Sequence, residues 1–311
     1  MNTHKSLHAM LAALFLLAAC DNPNGIDLPL EDQSFTVTAD VVQHTKAGYE
    51  SGVLLPEKFV VDVNQGAEEK YNYSLVEMTK DAGTNTYSAP AGTELLWAGN
   101  NAAPAVKAMT IPFGLTAVDP ENVMAVSVSL QQNNAANVAA SDMLGATSAT
   151  EGCITVSGTN INIEFQHLLS KLDVKYNFAS EFNENAVAVN SMTLQNICTT
   201  GGYSYANMSL VASNLAYGDV AMYHTASTST FEAIFYPYKP TENPTLLINA
   251  TIDGVEYDFT CPVVAKDADG FVGGKRYTMT VTIVGSSVSG TDASIAKGWD
   301  TNTEDESFVT E

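Results

Sequence analysis

The chain has 311 residues, with 13 Lys and Arg against 35 Asp and Glu and a net charge of −22 at pH 7. Arg276 is the single arginine, and so acidic a balance excludes the phosphate-neutralising surface that nucleic-acid binding needs and works against adhesion to anionic lipid. An apolar share of 45% is ample for packed cores, and the length suffices for two domains.

Residues 1–19 read as a secretory signal peptide: a polar start with Lys5, an apolar run from Leu7 to Ala19, and small residues just before Cys20. The run is about thirteen residues, roughly 20 Å of helix, where a bilayer span needs about twenty residues. Leu17-Ala18-Ala19-Cys20 resembles the lipobox of bacterial lipoproteins, so Cys20 is the expected acylated N-terminus. Its acyl chains, palmitate among them, would anchor the protein at about 0.8 kcal/mol per buried CH₂. Residues 20–33 are polar and contain Pro and Gly, which suits a lipidated tether.

From Ser34 onward the apolar period is 2. Phe35, Val37 and Ala39 alternate with polar residues, as do Val126, Val128 and Leu130, then Ile161, Ile163 and Phe165, then Leu172, Val174, Tyr176 and Phe178. Val255, Tyr257 and Phe259 follow, and then Tyr277, Met279, Val281 and Ile283. Each run predicts a half-buried strand. Turn signals such as Asp81-Ala82-Gly83, Asp253-Gly254 and Asp269-Gly270 separate them. Helical signal is poor: the Ala/Asn-rich stretch from Asn133 to Leu144 is weakened by Asn and Gly. The expectation is an all-β chain of two tandem antiparallel β-sandwich domains, at 34–148 and 149–311, with the boundary in the polar stretch 140–152.

Catalytic motifs are missing. There is no His-Glu-x-x-His, Gly-x-Ser-x-Gly or Cys-x-x-Cys. His44, His167 and His224 have no neighbour at metal-ligand spacing, and His167 reads as a packed strand-end residue. No catalytic residue, metal ligand or cofactor is expected, and the protein is not read as an enzyme. Cys153, Cys198 and Cys261 are odd in number, so at most one disulfide can form, and buried free thiols are the plainer expectation. Tyr203 and Tyr205, in Gly201-Gly202-Tyr203-Ser204-Tyr205, are candidate sugar-stacking residues.

The landmarks also stand in a characteristic order. After the lipobox come Leu54-Leu55-Pro56-Glu57-Lys58-Phe59-Val60-Val61-Asp62-Val63, Tyr71-Asn72-Tyr73 and Glu94-Leu95-Leu96-Trp97. Ser141-Asp142-Met143-Leu144-Gly145-Ala146 and Phe165-Gln166-His167-Leu168-Leu169-Ser170-Lys171 occupy the middle, and Gly274-Lys275-Arg276-Tyr277 and Ile295-Ala296-Lys297-Gly298-Trp299 the end. This order resembles the fimbrillin family of Bacteroidetes, which comprises major and minor fimbrial subunits and Mfa-like proteins.

The resemblance implies two transthyretin-like sandwiches, export as a lipoprotein to the outer-membrane surface, and no catalysis. An extracellular maturation protease would remove the first strand, here 34–42, and the groove it leaves would accept a strand of another fimbrial subunit. Lys46-Ala47 sits where the family places its cleavage site. Well-known members are cut after Arg, and this chain has none before Arg276, so a Lys-tolerant protease is needed or the strand is kept. The alternative expectation is a non-polymerising surface lipoprotein that binds glycans or host proteins.

Overall fold

Nearly every predicted period-2 run becomes a strand with its apolar face buried, but in the run Val255, Tyr257, Phe259 the first two stay exposed. The computed structural model describes residues 32–41, 55–66, 68–99, 103–179, 187–224, 229–284 and 287–296. The first half holds β1 (Thr36–Val41), β2 (Lys58–Asn64), β3 (Tyr73–Lys80), β4 (Thr86–Ser88), β5 (Ala105–Met109), β6 (Met124–Ser127), α1 (Ala135–Ser141), β7 (Leu144–Thr147), β8 (Ile154–Ser157) and β9 (Asn160–His167). The second holds β10 (Ser170–Phe178), β11 (Val187–Ser204), β12 (Ser209–Ala221), β13 (Tyr223–His224), β14 (Thr230–Phe235), β15 (Thr245–Ile252), β16 (Val255–Pro262), β17 (Arg276–Val284), β18 (Ser287–Gly290) and β19 (Ser294–Ala296).

The protein is all-β apart from short helices. In the first half the order β1-β4-β3-β2-β5-β7-β9 returns to β1, because β1 pairs with both β4 and β9. This closed, barrel-like ring has no free edge where β1 sits, whereas an open sandwich would leave two. Phe35, Val37, Phe59, Val61, Met78, Trp97, Val106 and Phe165 fill it. In the second half a β12-β11-β15-β16 sheet faces a β13-β14-β10-β17-β18 sheet across one shared core.

Several features depart from the expectation. The chain leaves the ring between His167 and Ser170, beyond the expected 148/149 boundary, because β8 and β9 pair within the first sheet. In the other direction, β6 pairs with β11 of the second half. Parallel pairing also enters: β1 runs parallel to β9 and β10 parallel to β17. The stretch read as weakly helical does form α1, because the Asn134 side chain accepts the Asn137 N–H at 2.9 Å and caps a run of alanines. Leu130 lies past the end of β6 and stays exposed, which ends the Val126–Val128 alternation.

Cys153, Cys198 and Cys261 are free and buried. Burial pushes the Cys198 thiol up to about 11, so little thiolate exists near neutral pH. Cys198 is therefore expected to resist a soluble thiol reagent in the native protein and to react once denaturant is added.

Candidate functional site

The Gly201–Tyr205 segment is core rather than surface. Tyr203 is 0% and Tyr205 1% exposed. A sugar stacks only on an open ring face, so the sugar-binding reading of this pair is corrected: the two rings pack at the junction of the halves. Burial, first among the causes, pushes both phenols well above the ordinary tyrosine range, and the Asp62 carboxylate of β2 raises Tyr205 further. Lys107 of β5 lies 5.9 Å from the Tyr205 ring centroid and donates to the Ala206 carbonyl at 2.6 Å. The Tyr236 hydroxyl donates to the Gly202 and Val211 carbonyls at 2.6 and 2.9 Å, and its ring explains Gly201, while Gly202 is crowded by Ser213, Val123 and the Val211 carbonyl. A Cβ on Gly201 would stand 2.2 Å from the Tyr236 ring. Gly201→Ala is expected to cost about 1–3 kcal/mol through overpacking, read as a lower chemical-denaturation midpoint.

His167 and Asp142 are both buried, with Nδ1 and Oδ1 2.9 Å apart. They join the end of β9 to the segment after α1, so the pair is architectural. The two sequence landmarks around Lys171 and Arg276 also meet. They lie side by side on β10 and β17, in register Lys171↔Arg276. Lys171 pairs with Glu232 and stands 3.8 Å from Asp173, while Arg276 Nε donates to Asp173 Oδ2 at 2.7 Å. Lys171, Asp173 and Glu232 are all buried. Among the described residues no group of three His, Cys, Asp or Glu is placed to hold a metal, and no helix is long and apolar enough to cross a membrane.

The remaining candidate is β1 itself. Its inward residues Phe35, Val37, Ala39 and Val41 are buried in the ring. Phe35 stands edge-on to Tyr73 and Trp97, with centroids 5.7 and 6.0 Å away. Outward, Thr36 and Thr38 hydroxyls donate to the Asn160 and Asn162 carbonyl oxygens of β9 at 2.8 and 2.5 Å, which fixes the parallel register.

β9 pairs with β1 evenly from Thr36 to Val41, but the opposite edge of β1 is held unequally along its length. At the start, Phe35 N–H donates to the Leu95 carbonyl at 2.8 Å, Trp97 N–H to Gln33 at 2.8 Å, and Asp32 N–H to Trp97 at 2.9 Å. The Asp32 carboxylate accepts from the Tyr71 hydroxyl at 3.0 Å and from Lys70 Nζ at 3.2 Å. Those donors, Tyr71 first, hold it below its ordinary range. At the far end β4 is only three residues long and pairs with Val37 and Thr38 alone. Ala39 N–H still reaches the Asn85 carbonyl at 3.0 Å, but Val41 N–H turns to its neighbour's Asp40 Oδ1 at 2.8 Å. An open cleft of about 490 Å³ lies there, lined by Asp40, Leu55, Lys80, Gly83, Thr84 and Asn85. The chain beyond Val41, with Lys46 and Ala47, and the stretch with Cys20, lie outside the described residues.

A family model described as fimbrillin-like matches residues 34–299. Among solved structures, the chain is similar to a Bacteroides uniformis protein named for cell adhesion, with TM-score 0.60, 18% identity, and 86% of this chain and 98% of that one covered. It is also similar to a Bacteroides ovatus protein named in the same way, with TM-score 0.61, 15% identity, and 88% and 99% covered. These likenesses show the fold. No curated protein matches the chain.

Proposed function

The chain belongs to the fimbrillin-like family, and from that premise we propose that it is a structural or accessory subunit of cell-surface fimbriae, assembled when a neighbouring subunit's strand takes the place of β1. The family is one of fimbrial and adhesion proteins, and no catalysis is assigned. The observation that carries the reading is β1: it fills the ring core with alternate side chains, closes the ring on both edges, and towards Lys46 keeps its β9 pairing while its β4 pairing stops at Thr38.

A ring that lacks β1 would expose two strand edges and an apolar groove, and an incoming strand of the same alternation would satisfy both. The groove on one subunit and the donor strand on the next are different surfaces, so the contact repeats without closing and builds a filament. In this reading Cys20 is acylated and carries the precursor to the outer membrane. An extracellular protease then cuts between Lys46 and Ala47. That protease must accept Lys, because no Arg precedes Arg276. The halves are transthyretin-like modules, the first closed into a ring by β1.

Limited proteolysis at Lys46 tests the proposal. The cut protein is expected to form a ladder of high-mass species that survives mild detergent. A cut chain that stays monomeric, in cells whose fimbriae are unchanged without it, would leave the non-polymerising surface lipoprotein as the reading.

A further inference from the structure

Tyr217 on β12 carries the most open of the described aromatic rings, 51% exposed. It stands edge-on to the buried ring of Tyr238, with centroids 5.5 Å apart and planes at 73°, so its orientation is set from beneath. A cleft of about 230 Å³ opens beside it, lined by Asn196, Tyr217, Tyr238, Thr241 and Glu242.

The fold brings these residues together from three segments. Asn196 reaches the cleft because β11 is irregular between Leu194 and Ile197: the residue adopts φ +55°, and its N–H donates to Asp219 Oδ1 at 3.0 Å. Thr241 and Glu242 come from the turn between β14 and β15, just after Pro240. The polar side-chain atoms of Asn196, Thr241 and Glu242 have no hydrogen-bond partner among the described residues. An open aromatic face thus has a carboxamide, a hydroxyl and a carboxylate around it, all uncommitted.

A pyranose matches that arrangement. One of its faces presents C–H groups that pack on an aromatic ring, and its rim carries hydroxyls that donate to a carboxylate and exchange hydrogen bonds with an amide. The cleft is smaller than the roughly 300–1,000 Å³ of a drug-sized pocket and suits one ring rather than a chain of them. Glu242 and the net charge of −22 repel anionic sugars such as sialic or uronic acids. We propose that the Tyr217 cleft binds the terminal residue of a neutral glycan.

The proposal does not rest on strand exchange, so the uncut monomer suffices for its test. The probes are the methyl glycosides of glucose, galactose, mannose, fucose and N-acetylglucosamine at millimolar concentration, read by saturation-transfer NMR. At least one is expected to receive saturation at its ring C–H protons and to bind saturably. Tyr217→Ala is expected to weaken it by about tenfold, the effect of losing one aromatic contact, while Tyr217→Phe keeps it. Glu242→Ala, on an exposed turn, gives a second reading should Tyr217→Ala fail to fold, and is expected to weaken binding too. Binding by none of these glycosides, or wild-type affinity in folded Tyr217→Ala, would overturn the proposal.

Discussion

A chain that begins at Ala47 is expected to lose about 5–9 kcal/mol of ring stability, because Phe35, Val37 and Val41 each contribute about 1.5–3 kcal/mol by burial. Whole domains of this size are stable by about 5–15 kcal/mol, so the truncated ring should be largely unfolded near room temperature. The second half has its own core and should still melt cooperatively. A synthetic peptide of residues 32–42 added to the truncated chain is expected to restore the lost transition, since it supplies the same inward side chains and the same pairing to β4 and β9. Calorimetry with and without peptide checks this. A truncated chain that melts like the full one would mean that β1 is an appendage rather than part of the ring.

The second large effect concerns the buried charges of the other half. Lys171→Met leaves Glu232 without its cation in a dry site, while Arg276 continues to hold Asp173. The expected loss is about 3–5 kcal/mol, the cost of stranding one partner of a buried ion pair. Replacing both ends, Lys171→Met with Glu232→Leu, removes the stranded charge and should recover most of that loss. Denaturant titration of the two single variants and the double variant measures the coupling. Additive losses in the double variant would mean that Lys171 and Glu232 do not act as a pair.

Alternation made most of the strands legible, and it did so where both neighbours are regular. Ile161–Phe165, Leu172–Phe178 and Tyr277–Ile283 became β9, β10 and β17 because each presents one uninterrupted apolar face to a core. What alternation does not encode is which strand lies beside which. The closure of the ring by β1, the parallel β10–β17 pair and the reach of β6 into the second half all depend on contacts between residues far apart in the chain. The polar stretch 140–152 does not separate two units for that reason, since it carries β7 and the turn towards β8, both inside the first sheet.

The candidate site divides in the same way. The first strand was legible from its pattern and from the family-like order of landmarks. The unequal pairing along its β4 edge was not, because it follows from how short β4 is. Tyr203 and Tyr205 looked like loop residues beside two glycines, yet Gly201 makes room for the Tyr236 ring and Gly202 for Ser213, Val123 and the Val211 carbonyl. Tyr217 carried no comparable signal: it is exposed with its neighbours Asn214 to Ala216 on β12, the end strand of its sheet. The Phe165–Lys171 and Gly274–Tyr277 segments were informative about kinship, and the buried Lys171–Glu232 and Arg276–Asp173 contacts give the physical reason for their composition.

The most direct measurement of the central claim is the N-terminus and intact mass of the protein sheared from the surface of cells that make it. The account predicts an N-terminus at Ala47 in chains recovered from high-mass assemblies, with residues 34–42 absent from them. Chains that keep an acylated Cys20 and an intact first strand, and that fractionate with the membrane as monomers, would contradict it.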